Sequence, residues 1–181
     1  MAGLALGCGT TPIEAVVQED RALGADGGSS SAASDACAEP STGRFILSGQ
    51  TGCLRRGAPT TVFGNPAFSA ELSADCDSTL AQWDLTPAVA GTFTLLNVAS
   101  QWALDVRAAA DVPGTAILLY EPTGLDNQHF WPHPRGSGAY ELSPRHAPTL
   151  CAEARGTALE AWPCQIDNSA QVFRFARVTC P

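Results

Sequence analysis

Three stretches of this chain repeat one another, and that repeat restricts the fold more than any other feature. Thr51-Gly-Cys-Leu-Arg55 aligns with Gln101-Trp-Ala-Leu-Asp105 and with Thr149-Leu-Cys-Ala-Glu153. Further on, Ser69-Ala-Glu-Leu-Ser-Ala-Asp-Cys76 aligns with Thr115-Ala-Ile-Leu-Leu-Tyr-Glu-Pro122 and with Thr157-Ala-Leu-Glu-Ala-Trp-Pro-Cys164. Each unit closes on an aromatic: Trp83, Phe130 and Phe173. Equivalent positions lie about 45 residues apart, the period of a supersecondary unit that cannot bury its apolar face alone. Three such units sharing one core predict a single domain over residues 41–181, with units at about 44–90, 91–137 and 138–181.

Within each unit the apolar residues fall in short or alternating runs broken by turn residues. Twelve such runs, from Phe45–Gly49 to Val172–Val178, form three groups of four. The first group places its second and third strands at Gly52–Arg56 and Ala70–Cys76. Seventeen Gly and thirteen Pro supply the turns, and no segment keeps a helical period over ten residues. An all-β sandwich or barrel is expected.

The cysteines follow the repeat. Cys53 and Cys76 occupy two repeat positions in the first unit, and Cys151 and Cys164 occupy the same two in the third. In the second unit both are absent together, as Ala103 and Pro122. Joint presence and joint absence predict the disulfides Cys53–Cys76 and Cys151–Cys164. A closed threefold barrel brings its ends together, so Cys37–Cys180 is expected as a clasp, leaving Cys8 as the odd cysteine. Seven Cys in a small acidic chain favour an oxidising compartment.

The first forty residues differ in character. They hold six acids and one Arg. The opening Met-Ala-Gly-Leu-Ala-Leu-Gly-Cys8 resembles the end of a bacterial lipoprotein signal, which implies lipid on Cys8. Residues 1–8 then read as the remnant of that signal. Residues 9–40, with the Gly- and Ser-rich run 24–34, read as a disordered, flexible acidic tether. The expected location is extracytoplasmic, at the bacterial cell envelope or secreted, with membrane contact only through the anchor.

The three units resemble the ricin-type β-trefoil lectins. The features that carry the likeness are the Gln-x-Trp/Phe endings, the Cys-Leu and Leu-Asp-Val openings and the Trp-Pro-Cys of the third unit. The resemblance covers about 140 of the 181 residues. It implies a twelve-stranded β-trefoil, a six-stranded barrel capped by three hairpins, with one shallow sugar pocket per unit and no metal or cofactor. In such a pocket an acid accepts hydrogen bonds from sugar hydroxyls, an aromatic lies against the sugar's C–H face, and an Asn-Gln pair completes the rim.

Carried over residue by residue, the second unit offers Asp105, Tyr120, Asn127 and Gln128, with Leu118 where the family has Gln. The third offers Glu153, Glu160, Trp162 and Gln171, with Ala170 at the Asn position and Asn168 close by. The first has Arg55, Leu72, Ala74, Leu80 and Ala81 at these positions and reads as inactive. Gln128 and Gln171 have an alternative role, holding the fold through backbone hydrogen bonds.

Other chemistries find little support. The chain has ten Arg and no Lys, and a net charge of −8. A lysine Schiff base, a phosphate-binding loop and a nucleic-acid groove are therefore not expected. His129 and His133 are four apart, but Pro132 between them excludes the helix that such metal spacing needs. No nucleophile elbow is present. The reading is a monomeric, non-enzymatic, lectin-like module that binds glycans, galactose-type sugars favoured, in the second and third units. The alternative is a trefoil scaffold with degenerate pockets that engages a protein, in adhesion or protease inhibition.

Overall fold

The computed structural model describes residues 42–178. Cys8, Cys37 and Cys180, the residues 1–40, and so the expected anchor, tether and clasp, lie outside the described residues. Twelve strands are present: β1 (Gly43–Gly49), β2 (Gly52–Val62), β3 (Asn65–Ser73), β4 (Gln82–Pro87), β5 (Phe93–Asn97), β6 (Ala103–Val106), β7 (Thr115–Tyr120), β8 (Phe130–Pro134), β9 (Ala139–Pro144), β10 (Leu150–Arg155), β11 (Ala158–Pro163) and β12 (Phe173–Arg177).

Six of them close a ring of antiparallel pairs. β1 pairs with β4, β4 with β5, β5 with β8, β8 with β9, β9 with β12, and β12 returns to β1. Closure leaves no unpaired edge in this barrel. The other six form the hairpins β2–β3, β6–β7 and β10–β11. The hairpins also pair with one another, β3 with β7, β7 with β11 and β11 with β3, which gives a three-sided cap. A six-stranded barrel under three hairpins, one unit per third, is the β-trefoil.

The repeat explains why the barrel closes. Trp83, Phe130 and Phe173 enter the core from β4, β8 and β12, each 0% exposed. Strand alternation places Phe45 and Leu47, Phe93 and Leu95, and Tyr140 and Leu142 on the inner face of β1, β5 and β9. These side chains meet in one cluster, Tyr140 excepted, together with Leu54, Leu104 and Ala152 from the hairpins. All three units contribute to this one cluster.

The disulfides Cys53–Cys76 and Cys151–Cys164 are formed. Two expectations need correction. β2 continues to Val62 rather than ending at Arg56, and β3 starts at Asn65 and stops at Ser73 rather than running to Cys76. The strand register also shifts the first-unit alignment by one. Arg55 faces Glu71 and Cys53 faces Ser73, whereas Asp105 faces Leu118 and Ala103 faces Tyr120. Glu71 and Ser73, not Leu72 and Ala74, are therefore the equivalents of the pocket positions. The segment between β3 and Cys76 is longer by one residue than its counterpart before Cys164, and aligning on the cysteines hid this.

Candidate functional site

The second unit gathers its predicted residues at one place. Asp105 lies on β6, where it is 4% exposed. Its Oδ2 accepts hydrogen bonds from Asn127 Nδ2 at 2.9 Å and Gln128 Nε2 at 2.8 Å. Among the described residues no group donates to Oδ1. Burial pushes the Asp105 pKa up to about 6, against the lowering effect of the bonds from Gln128 and Asn127. Asp105, Tyr120 and Asn127 line a cleft of about 260 Å³, with Thr123, Leu125, Ala108, Ala109, Val62 and Phe63.

Gln128 sits behind the carboxylate. It is fully buried, donates also to Glu121 O, and accepts at Oε1 from the backbone N–H groups of Thr123 and Gly124. Gln171 does the same in the third unit. It is fully buried, donates to Glu153 Oε2 at 2.9 Å and to Pro163 O, and accepts from Gln165 N. Both glutamines therefore orient the acid and fasten the following loop. Neither side chain can touch a ligand, which corrects their placement among the contact residues.

The third unit rebuilds the same amide cradle by a different route. Asn168, not residue 170, supplies the second amide, with Nδ2 donating to Glu153 Oε2 at 2.9 Å. The Asn168 Oδ1 accepts from Ala170 N, which fixes the side chain in that direction. The outer half of this site is already occupied. Arg155 Nη1 donates to Glu153 Oε1 at 3.0 Å, and the same guanidinium lies 4.8 Å from the Trp162 ring centroid. Glu160 is turned to Trp162, accepting from its Nε1 at 2.8 Å. One arginine thus covers both the acid and the aromatic that would meet a sugar.

In the first unit Arg55 holds the acid's position and is ion-paired with Asp75 at 2.9 Å. The cradle amides are replaced by Leu80 and Ala81.

The histidines do not converge. His133 Nε2 meets Ser143 Oγ at 2.6 Å, and His146 Nε2 meets Ala110 O at 3.2 Å, while His129 is buried near Asp126. Among the described residues no three His, Cys, Asp or Glu side chains form a metal-binding group.

Asn168, named in the sequence only as close by, takes the amide position itself, while Arg155, Phe63 and Val62 are absent from the sequence's candidates. Arg155 carries a legible signal, because a residue two beyond Glu153 on one strand shares its face. Phe63 and Val62 belong to the first unit and reach the second-unit cleft only through the extended hairpin, which no local pattern announces.

Residues 79–162 match the family model described as ricin-type beta-trefoil lectin domain-like. No curated protein matches the chain significantly. Among solved structures, the designed threefold-symmetric protein ThreeFoil is similar at 21% identity and a TM-score of 0.66, over 75% of this chain and 99% of that one. The Macrolepiota procera ricin B-like lectin, solved with lactose, is similar at 13% identity and a TM-score of 0.57, over 77% and 99%. The Polyporus squamosus lectin, solved with the epitope Neu5Aca2-6Galb1-4GlcNAc, is similar at 19% identity and a TM-score of 0.63. The match covers 77% of this chain and 50% of that lectin. At these identities the likeness establishes the β-trefoil fold.

Proposed function

We propose that this protein is a carbohydrate-binding, lectin-like module whose working pocket is the second unit. The observation that carries the reading is Asp105. It is a buried carboxylate with one oxygen pinned by two amides, the other without a protein donor among the described residues, at a cleft that also holds an aromatic ring. Such an oxygen accepts sugar hydroxyls, Tyr120 offers a ring to the C–H face, and Asn127 adds a polar edge. The cleft lining contains a single carboxylate, whereas glycoside hydrolysis ordinarily uses a pair, so binding is favoured over cleavage.

Galactose-type sugars are the favoured ligands, by likeness to lectins solved with lactose and with a galactose-containing epitope. The third unit, with Glu153, Glu160 and Trp162, is a reserve site that Arg155 holds shut. A shallow pocket with few contacts predicts single-site affinities of about 0.1–10 mM. Clustering at a surface then supplies avidity. A lipid on Cys8 and an extracytoplasmic location at a bacterial envelope form part of the proposal, supported by the Leu-Ala-Leu-Gly-Cys8 run. Palmitate labelling in the native host, lost on Cys8→Ala, tests the anchor.

A glycan array on the full chain tests the function. Signal that soluble sugar competes away supports it. Retention of a protein partner that no sugar displaces, with an empty array, contradicts it and favours the scaffold.

A further inference from the structure

The three hairpins of the cap are unequal. β2 runs for 11 residues and β3 for 9, against 4 and 6 in β6–β7 and 6 and 6 in β10–β11. After an irregularity between Arg56 and Pro59, pairing continues from Pro59↔Phe68 out to Val62↔Asn65. This outer arm lies along the second unit rather than its own. Phe68 and Ser69 pair with Leu119 and Leu118 of β7, and Val62 and Ala67 pack with Leu118 and Tyr120. The tip therefore arrives at the rim of the second-unit cleft, which Val62 and Phe63 help to line.

Phe63 is costly at this tip. It is 81% exposed, and with Gly64 it forms a two-residue turn in which both residues have positive φ, 50° and 82°. Such turns favour Asn or Asp followed by Gly, and a bulky residue in the left-handed region is strained. Neither burial nor geometry accounts for a phenyl ring here, and an outlier of this kind points to a ligand.

We propose that Phe63 forms a second sugar subsite, contacting the residue linked to the one held by Asp105 and Tyr120, so that the site selects oligosaccharides over monosaccharides. Asp105 and Tyr120 stand on adjacent strands of one hairpin and together serve a single ring. Phe63 comes from a different unit and is exposed at the rim, where the next residue of a glycan leaves the cleft. The exposed Leu125 also lines the cleft, adding apolar surface. This inference rests on the sugar-binding reading above.

The test is titration of the full chain with galactose and with lactose, for wild type, Phe63→Ala and Phe63→Trp, each checked by melting curve. Wild type should prefer lactose. Phe63→Ala should weaken lactose about 3–10-fold, the worth of one aromatic contact, and leave galactose unchanged. Phe63→Trp should keep the preference. If wild type binds and Phe63→Ala changes both sugars equally, or neither, the subsite is wrong while the pocket stands. If wild type binds neither sugar, the galactoside reading and this inference fall together. Asp105→Ala separates the two, since it should remove binding of both sugars.

Discussion

The second and third units carry the same carboxylate cradle and the same arginine two residues beyond the acid, yet one site is open and the other shut. Asp105 and Glu153 each receive two amide N–H groups at 2.8–2.9 Å on one oxygen. Arg107 and Arg155 follow them at the same spacing. In the third unit the hairpin turns directly at Gly156 and Thr157, with Arg155 still paired to Ala158. Arg155 therefore stays on the strand, on the face of Glu153, and closes over it. In the second unit β6 ends at Val106, and a turn with Ala108 and Ala109 at positive φ leads away. Arg107 is carried to another recess, beside Thr60, Ser69 and Glu160. Turn geometry, not the identity of the acid or of its amide donors, decides whether the arginine covers the carboxylate.

The largest effects should come from the parts that hold each loop. The third unit uses a disulfide and the second does without. Replacing Cys151 and Cys164 by Ala should cost about 2–4 kcal/mol in denaturant unfolding. The third unit has both this disulfide and Gln171, whereas the second relies on Gln128 without a disulfide beside it, and Gln128→Ala leaves the N–H groups of Thr123 and Gly124 and part of Asp105 without partners. That should cost about 1–3 kcal/mol and weaken sugar binding as well, read by melting curve and titration on the same sample. If Gln128→Ala keeps full stability, Gln128 does not fasten the second-unit loop.

Next in size is a dependence on pH that belongs to the second unit. The folded-state pKa of Asp105 is raised to about 6 by burial. Its contribution to stability is thus fully present below the unfolded value of 3.8 and is lost as pH rises through about 6. Sugar binding runs the opposite way, because the acceptor is the carboxylate, and should fall as pH drops through about 6. Asp105→Asn should flatten the stability profile over this window. A binding curve unchanged between pH 7 and pH 5 would contradict the assignment of Asp105 as the acceptor. The smallest change in stability should come from Arg155→Ala. The Arg155 side chain is 52% exposed, so loss of its pair with Glu153 should cost no more than about 1 kcal/mol. It should nevertheless add a second, weaker sugar site, seen as a rise in stoichiometry from one to two.

Much of the fold was legible because it is repeated. Trp83, Phe130 and Phe173 fill one role three times, and the joint loss of two cysteines in the second unit identifies the disulfide pairs in the others. The cradle was half legible. Asp105, Asn127 and Gln128 stand at the places the resemblance implies, but the burial of Gln128 and Gln171 behind the acid depends on packing that no spacing encodes. The substitution of Asn168 for residue 170 is a local rearrangement of one loop. The arm from Pro59 to Ala67 was illegible for a physical reason. Its Pro, Thr, Gly and Asn residues read as a turn, and what backs it is distant in sequence: β7 pairs with Phe68 and Ser69 at its base, and Leu118 and Tyr120 pack against Val62 and Ala67. The Arg155 cap was half legible: its spacing two beyond Glu153 is in the sequence, but Arg107 stands at the same spacing from Asp105 and turns elsewhere.

The central claim, one open pocket in the second unit, is tested most directly by isothermal titration of lactose into wild type and Asp105→Ala. A single site near the millimolar range in wild type, absent in a folded Asp105→Ala, is the predicted result. A folded Asp105→Ala that binds lactose like wild type would contradict it.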